Sequence, residues 1–481
     1  MFGINLRQVP NFWGLTARPL APLGRPTLLA ACLLAALMAS SSCRARRDLP
    51  ERRPNIIFLM ADDLGWLDVG CYGQRLIRTP NIDRMAAEGI RFTQCSAGAP
   101  VCAPARSVLM TGQHSGHTRV RNNFGFVGGV GEQKRVPLLP EDVTVAEVLK
   151  GAGYATGITG KWGLGEPGTS GVPNRQGFDE WLGYLNQRQA HSYYPEYIWR
   201  NETKLILEKN RDGAQEQYTH DMFTDFALDF IRRHEQEPFF LYVPWCIPHS
   251  RLEVPSVEPY ENEPWDAKAR TFAAMVTRMD RDVGRILDLL DELDIAGETL
   301  VFFTSDHGAA ERWEGLFDSN GPLRGIKRDV YEGGLRAPMV VRMPGTVPAG
   351  RVDDRPWTHY DFLPTAADLA GVEIPDGVDG ISVLPTLLGQ SQDADERVFY
   401  WEIPTKTALQ QAVRRGPWKA VRGAVDAPIE LYRILDDVSE SRNMASQHPD
   451  IVEEMHQHME REHRESPNWP TPRNSRVSNS G

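Results

Sequence analysis

The residues best suited to chemistry are acidic and basic side chains that directly follow short apolar runs. Asp62 and Asp63 come after the apolar run 55–60, and Asp306 and His307 come after the run 299–303. Three carboxylates from distant parts of a chain suit a hard divalent cation such as Ca²⁺. An imidazole is a less usual calcium ligand, so Mg²⁺ and Mn²⁺ are alternatives. Each pair taken alone is also compatible with an aspartate-capped turn.

The segment Cys102-Ala103-Pro104-Ala105-Arg106 places a thiol and a guanidinium at C-x-P-x-R spacing. Pro104 is typical of the first turn of a helix, so Cys102 is predicted at a helix N-terminus, where unpaired backbone N–H groups attract an anion. Taken alone, the pattern also fits a buried cysteine before a helix with a surface arginine. Cys71, Cys95 and Cys246 form neither a zinc-ribbon nor a disulfide spacing with Cys102.

The elements that must position these side chains alternate between strands and helices. Buried strands are predicted at 55–60, 90–95, 154–159, 238–243 and 299–303, and helices at 80–87, 104–112, 143–151, 223–234 and 267–293. Apolar, β-branched strands of this kind are typical of a parallel sheet that is covered on both faces. The fold class is therefore predicted to be α/β, a mostly parallel sheet flanked by helices, with ligands bound beyond the carboxyl ends of the strands.

The pattern changes near residue 385. The segments 398–402, 411–414, 418–422 and 429–434 are short strands separated by turn residues, and 449–463 is a polar helix. We therefore predict a catalytic domain at 52–385 and a smaller C-terminal α+β subdomain at 386–465, built on an antiparallel sheet. The last residues, 466–481, are rich in Ser, Pro, Asn and Arg and are predicted to be a disordered tail.

Residues 1–43 have the layout of a signal peptide. Three arginines precede the apolar run 28–39, which is too short to span a bilayer, and Cys43 follows three serines. Cleavage after export is expected, with lipid attachment at Cys43 as the alternative; Ser40 stands where a bacterial lipobox has a leucine-like residue. The predicted location is the periplasm or cell surface of a bacterial host. Removing these residues changes the net charge from −11 to −14, and an acidic exported protein is not expected to bind nucleic acid.

Together these motifs resemble the type I sulfatases of the alkaline phosphatase superfamily. The resemblance extends over nearly the whole mature chain, from the Asp62–Asp63 pair to the segment Glu430-Leu431-Tyr432. It implies an alkaline-phosphatase-like fold. It also implies that a formylglycine-generating enzyme converts Cys102 to formylglycine (3-oxoalanine), whose hydrate attacks the sulfur of a sulfate ester.

The resemblance further implies a role for each matching residue. Asp62, Asp63, Asp306, His307 and the converted Cys102 would bind the cation, and Arg106 would orient the formylglycine. Lys161 and Lys327 would bind the sulfate. His249 would contact the sulfate and protonate the leaving oxygen, a role suited to a side chain that titrates near neutrality.

One position departs from the family pattern. Gly163, in Gly160-Lys161-Trp162-Gly163-Leu164-Gly165, stands where many sulfatases have a histidine that assists release of sulfate. His191 is the candidate substitute, and a packing or substrate-loop histidine is the alternative interpretation. The predicted function is hydrolysis of the sulfate ester of an aryl compound or saccharide. The alternatives are a phosphonate monoester or phosphodiester hydrolase of the same superfamily and a non-catalytic sulfate-binding protein.

Overall fold

The computed structural model describes residues 52–126, 133–393 and 396–472. The predicted signal peptide and Cys43 lie outside these ranges. Within them, no helix combines the length and the apolar character needed to cross a bilayer.

The strands of the described residues are numbered along the chain. They are β1 (Asn55–Ala61), β2 (Ile90–Phe92), β3 (Cys95–Ser96), β4 (Gly125–Phe126), β5 (Gln133–Lys134), β6 (Ala155–Lys161), β7 (Glu180–Tyr184), β8 (Tyr197–Arg200), β9 (Thr203–Ile206), β10 (Phe239–Pro244), β11 (Thr299–Ser305), β12 (Met339–Arg342), β13 (Arg351–Asp353), β14 (Trp357–Thr358), β15 (Val398–Pro404), β16 (Leu409–Arg415), β17 (Trp418–Arg422) and β18 (Glu430–Arg433).

The α-helices are numbered in the same way. They are α1 (Pro80–Ala87), α2 (Cys102–Thr111), α3 (Val145–Gly151), α4 (Thr219–His234), α5 (Ala267–Glu292), α6 (Glu332–Leu335), α7 (Phe362–Ala370), α8 (Leu384–Leu387) and α9 (Pro449–Glu462). Short 3-10 turns cover Gly70–Tyr72, Pro173–Arg175, Gln189–His191, Glu208–Gly213, Ala296–Glu298 and His359–Asp361.

A ten-stranded sheet forms the centre of the larger part, in the order β13-β2-β12-β11-β1-β10-β6-β7-β8-β9. The five central strands, β11, β1, β10, β6 and β7, are parallel, while β12, β8 and β9 run antiparallel to their neighbours. Every residue of β1 and β11 is buried, because helices cover both faces of the sheet. The predicted α/β class with a mostly parallel sheet is confirmed.

Alternate residues of β1 pack into two different cores. Ile57 and Leu59 belong to the cluster that includes apolar residues of α4 and α5. Ile56 and Phe58 belong to the cluster on the other face, where the Phe58 ring lies 4.4 Å from the ring of Phe362 in α7. This two-sided burial explains why β1 is apolar along its whole length instead of alternating.

Two predicted element boundaries are wrong in detail. The predicted strand 90–95 is broken, since β2 ends at Phe92 and β3 begins at Cys95. The predicted loop that starts at Gly160 starts later, because β6 continues to Lys161 through pairing with β7. Lys161 is therefore held by a sheet and not by a loop.

The C-terminal part contains the four-stranded antiparallel sheet β15-β16-β17-β18, as predicted. Helix α9 covers it, with Met455 and Met459 packed against Tyr400 and Val413. Residues 466–472 differ from the predicted disordered tail. Trp469 is buried and its indole N–H donates to the carbonyl oxygen of Phe124 over 2.7 Å, so a large apolar side chain anchors this stretch. Residues 473–481 lie outside the described ranges.

Candidate active site

The parallel strands bring the predicted side chains to one edge of the sheet. Asp62 follows β1, Asp306 follows β11, Lys161 ends β6 and His249 lies five residues beyond β10. Backbone hydrogen bonds hold these strand ends together: the Asp306 N–H donates to the carbonyl oxygen of Ala61 (3.0 Å), and the Asp62 N–H donates to that of Ile247 (3.2 Å). Residues far apart in sequence therefore converge, as the sequence predicts.

Five buried residues form the centre of the site. The Sγ of Cys102 lies 3.6 Å from Asp62 Oδ1 and 3.4 Å from His307 Nε2. The same Nε2 lies 3.2 Å from Asp63 Oδ1 and 3.4 Å from Asp306 Oδ1. One ligand atom each from Asp62, Cys102, Asp306 and His307 lies within 4.8 Å of the others. This is the spacing at which several side chains can share one cation.

Three fixed cations neutralise the three aspartates. Lys161 Nζ lies 2.5 Å from Asp62 Oδ2, and Lys327 Nζ lies 2.6 Å from Asp63 Oδ1. Arg106 Nη2 lies 3.1 Å from Asp306 Oδ2 and 3.4 Å from Asp62 Oδ2, and its Nη1 donates to the carbonyl oxygen of Lys161 over 2.6 Å. Arg106 is fully buried, which excludes the surface arginine that the motif alone allows. The formal charge of these six side chains is zero.

The pKa shifts report how strongly the charges interact. Burial opposes ionisation of Asp62, yet Lys161, His249 and Arg106 hold the pKa of its carboxyl well below the usual value. Burial and the Asp62 carboxylate raise the pKa of Asp306 to about 7. Burial works against a charged His307, but Asp306 and Cys102 raise the pKa of its imidazole to about 9. The last two shifts have the sign expected where an anionic neighbour lies close to a buried carboxyl or imidazole.

Cys102 is the first residue of α2, which begins after the extended residue Val101. All ten residues of this helix are buried. Burial and Asp62 disfavour the thiolate, but Lys161, Lys327 and His307 hold the pKa of the Cys102 thiol well below its ordinary value. The Cys102 sulfur thus lies at a helix N-terminus near Lys161, Lys327 and His307, an environment that favours an anion.

His249 and His191 border the site on one side. His249 Nε2 lies 3.5 Å from Asp63 Oδ2, and its Nδ1–H donates to the carbonyl oxygen of Ser250. Burial lowers the pKa of His249, but Asp63 and Asp62 outweigh it and raise the value. The His191 ring lies 4.6 Å from the His249 ring, and burial and the His249 charge lower the pKa of His191. The Tyr193 hydroxyl donates to the His249 carbonyl oxygen over 2.7 Å. In the sequence, Tyr193 belongs to an aromatic stretch, 181–199, that is compatible with core packing and with stacking on a substrate ring.

Lys327 is carried by the loop between β11 and α6. Its backbone N–H donates to the carbonyl oxygen of Ala309 (3.0 Å), and the next N–H, of Arg328, donates to that of Pro100 (2.7 Å). Glu332, at the end of the loop, lies 2.9 Å from Lys419 of the C-terminal sheet. The C-terminal sheet therefore supports the loop that holds one side of the site.

The position of the expected histidine is filled from another part of the chain. Gly163 has φ 89°, and a Cβ built on it would lie 2.1 Å from Nε2 of Gln187. A side chain at 163 is therefore excluded while Gln187 keeps this position. No sequence pattern pointed to Gln187, because its contact with Gly163 depends on how two loops pack.

A second cluster of potential metal ligands is explained by ion pairing. His117 Nδ1 lies 2.9 Å from Asp379 Oδ1, and His114 Nε2 lies 3.4 Å from Glu462 Oε2. The Gly116 N–H donates to His114 Nδ1 over 3.2 Å, so the ring proton of neutral His114 is on Nε2 and points to Glu462. A metal at Nε2 would displace that proton and is disfavoured.

Comparison with known proteins agrees with this geometry. The sulfatase family model matches residues 54–372, and the model described as N-sulphoglucosamine sulphohydrolase, C-terminal, matches residues 325–465. N-acetylgalactosamine-6-sulfatase from Canis lupus familiaris is 36% identical over 395 residues, which cover 76% of this chain and 71% of that protein. Steryl-sulfatase from Rattus norvegicus is 31% identical over 455 residues, covering 77% and 76%.

A solved structure has a similar fold. The crystal structure of Ps i-CgsB in complex with k-i-k-neocarrahexaose superposes with a TM-score of 0.76 at 28% identity, over 87% of this chain and 95% of that one. Because the family model matches most of the chain and similar proteins above 30% identity are sulfatases, the chain belongs to the sulfatase family of sulfuric ester hydrolases, within the alkaline phosphatase superfamily.

Proposed function

We propose that this protein removes sulfate from a sulfated saccharide by means of a formylglycine derived from Cys102 and a bound divalent cation. The observation that carries the proposal is the position of Cys102 Sγ. It lies 3.6 Å from Asp62 and 3.4 Å from His307, and two lysine ammonium groups pair with the adjoining aspartates. A nucleophile formed here would face both a cation site and the charges that a sulfate group needs.

The donor set fits a hard cation. Asp62, Asp63, Asp306 and His307 would hold it, with Ca²⁺ as the expected ion and Mg²⁺ or Mn²⁺ as alternatives. When bound, the cation supplies a positive field that polarises the sulfate ester and favours ionisation of a nearby hydroxyl. A formylglycine at position 102 would supply a geminal diol, with one hydroxyl as the nucleophile toward sulfur and the second as an internal route for releasing sulfate without attack by water.

The other side chains bind charge or move protons. Lys161 and Lys327 would neutralise the sulfate oxygens, and one preorganised donor of this kind is worth roughly 10² to 10³ in rate. Arg106 keeps Asp62 and Asp306 in position through its buried guanidinium. His249, whose pKa is raised, would hold a proton near neutral pH and donate it from its imidazole to the leaving alcohol oxygen.

A cavity on the His249 side suits the leaving alcohol. It is lined by residues that include Asp63, Pro248, Leu252, Phe272 and Trp313. The half-buried indole of Trp313 provides a flat face, and Lys268 Nζ lies 5.0 Å from its ring centroid. An aromatic face beside charged groups favours a sugar ring, which has both apolar C–H faces and hydroxyl groups, over a sterol.

Three measurements test the proposal. The peptide that contains Cys102, from protein made in its native host, should have the mass expected when CH₂SH is replaced by CHO, and metal analysis should find one divalent cation per chain. The protein should hydrolyse 4-nitrophenyl sulfate faster than the corresponding phosphate or phenylphosphonate, and sulfated disaccharides more efficiently than steryl sulfate. Cys102→Ala is the inactive control. An unmodified thiol in fully active protein would refute the mechanism, and preference for a phosphate or phosphonate ester would favour the alternative hydrolase.

The proposal includes export of the protein and its maturation by a formylglycine-generating enzyme. Residues 1–43 support export through their signal-peptide composition. Comparing the N-terminal residue and mass of the protein recovered from the cell envelope with those of the full chain tests both cleavage and lipid attachment at Cys43.

A further inference from the structure

The side-chain amide of Gln187 is buried without a hydrogen-bond partner. Gln187 is 6% exposed, and neither its Oε1 nor its Nε2 has a partner among the residues that the structure describes. An unpaired buried amide costs free energy, and such groups in folded proteins usually pair with water or a ligand. The amide therefore indicates a binding position.

The loop that carries this amide packs against two segments that contribute to the proposed sulfate site. Gln187 follows β7, and its Nε2 lies over Gly163, at 2.1 Å from where a Cβ would be. Gly163 comes two residues after Lys161, whose ammonium contacts Asp62. Further along the same loop, the His191 ring packs on His249. The loop after β7 thus packs on the segment that follows Lys161 through Gln187 and on His249 through His191.

We propose that Gln187 is a substrate-positioning residue whose Nε2–H donates a hydrogen bond to an oxygen of the sulfate group. This inference rests on the proposed function. The two lysines provide positive charge, whereas a neutral amide adds a directional donor and leaves the charge balance of the pocket unchanged. An amide neither takes up nor releases a proton at neutral pH, so its contribution is to binding and orientation.

The test compares three variants for binding of inorganic sulfate, measured by calorimetry and by sulfate-dependent thermal shift. Gln187→Leu keeps the approximate size and removes both polar atoms. Gln189→Leu is the matched control in the same loop, because the Gln189 amide already donates to the Tyr197 carbonyl oxygen over 2.9 Å. Gln187→Glu keeps the shape and adds a negative charge that repels sulfate.

We expect Gln187→Leu to raise the dissociation constant of sulfate about 10- to 100-fold, the effect of losing one hydrogen bond to a charged group. Without sulfate, its melting temperature should equal or exceed that of the wild type, because two unpaired polar atoms are gone. Gln187→Glu should bind sulfate more weakly still, and Gln189→Leu should bind it like the wild type. For 4-nitrophenyl sulfate, kcat/KM of Gln187→Leu should fall by a similar factor.

Failure of the Gln187 inference and failure of the proposed function would give different results. If Gln187→Leu is more stable and binds sulfate like the wild type, Gln187 only fills space, and the inference is overturned while the sulfatase function stands. If the wild type neither binds sulfate nor hydrolyses sulfate esters, the proposed function itself fails. If Gln187→Leu does not fold, Gln187→Glu decides: unchanged sulfate affinity in that variant also overturns the inference.

Discussion

Replacing Lys419 by methionine tests how the C-terminal sheet supports the active site. Lys419 lies in β17 with a fully buried ammonium group, 2.9 Å from Glu332 Oε1 and 2.9 Å from Glu440 Oε1. Glu332 is the first residue of α6 and comes five residues after Lys327. Methionine keeps most of the volume and removes the charge, so the change isolates the electrostatic contribution.

The expected loss in the free energy of unfolding depends on which carboxylate loses its partner in the Lys419→Met variant. Glu332 keeps Arg336, whose Nη2 lies 2.5 Å from Glu332 Oε2, whereas Glu440 loses the lysine and stays buried. Removing one partner of a buried ion pair costs about 3–5 kcal/mol of the free energy of unfolding. We expect the lower part of this range, about 3 kcal/mol at pH 8, because one of the two carboxylates remains paired.

The loss of stability in the Lys419→Met variant should increase as the pH rises. Burial raises the pKa of Glu440 to about 7 even though Lys419 opposes it, and the variant should raise this pKa further. An acid whose pKa is higher in the fold than in the unfolded chain stabilises the fold when protonated and loses that contribution as the pH rises. The difference between variant and wild type should therefore be large at pH 8 and small at pH 6.

Urea unfolding at both pH values measures the effect. Lys150→Met is the control, because Lys150 is 49% exposed and pairs with Asp179 at the surface, where an ion pair contributes at most about 1 kcal/mol. The double variant Lys419→Met/Glu440→Gln should recover most of the loss at pH 8. A loss below about 1 kcal/mol at pH 8, or no recovery in the double variant, would refute the assignment of the cost to Glu440.

Three further predictions concern the site itself. Gly163→Ala should lower the free energy of unfolding by about 1–3 kcal/mol in urea unfolding, because its Cβ would meet the Gln187 amide at 2.1 Å and its φ is 89°. His191→Ala should lower kcat for 4-nitrophenyl sulfate far more than it changes the melting temperature, and near-wild-type kinetics would exclude His191 as the substitute for the missing histidine. Chelation by EDTA should lower both melting temperature and activity, with recovery on adding Ca²⁺, Mg²⁺ or Mn²⁺; an unchanged melting temperature would contradict a resident cation.

The sequence was sufficient to predict the fold and the convergence of three site residues, because these three end or directly follow buried strands. Asp62, Lys161 and Asp306 end or follow parallel strands, and parallel strands bring their carboxyl ends to one edge. The expected roles of Cys102, Arg106, His249 and Lys327 came instead from the resemblance to the sulfatase family.

Contacts that depend on packing between loops were not predictable. Gln187 fills the space over Gly163 from 24 residues away, and no periodicity or motif links the two. Trp469 was assigned to a disordered tail because its neighbours are polar, yet its own side chain is large enough to anchor the segment. From sequence, the aromatic stretch 181–199 is equally compatible with core packing and with stacking on a sugar or aryl group. In the structure Trp181, Tyr184 and Tyr193 are buried, whereas Tyr197 and Trp199 are half-buried.

Complete burial of α2 places the proposed maturation of Cys102 in competition with folding. The thiol is 1% exposed and every residue of its helix is buried, so an oxidising enzyme cannot take this segment into its own active site once the fold has formed. Modification must therefore act on the extended chain during or soon after synthesis. Under the proposed maturation, the fraction of active protein would be set by the ratio of two rates, oxidation and folding, and a chain that folds first would remain an inactive thiol until it unfolds.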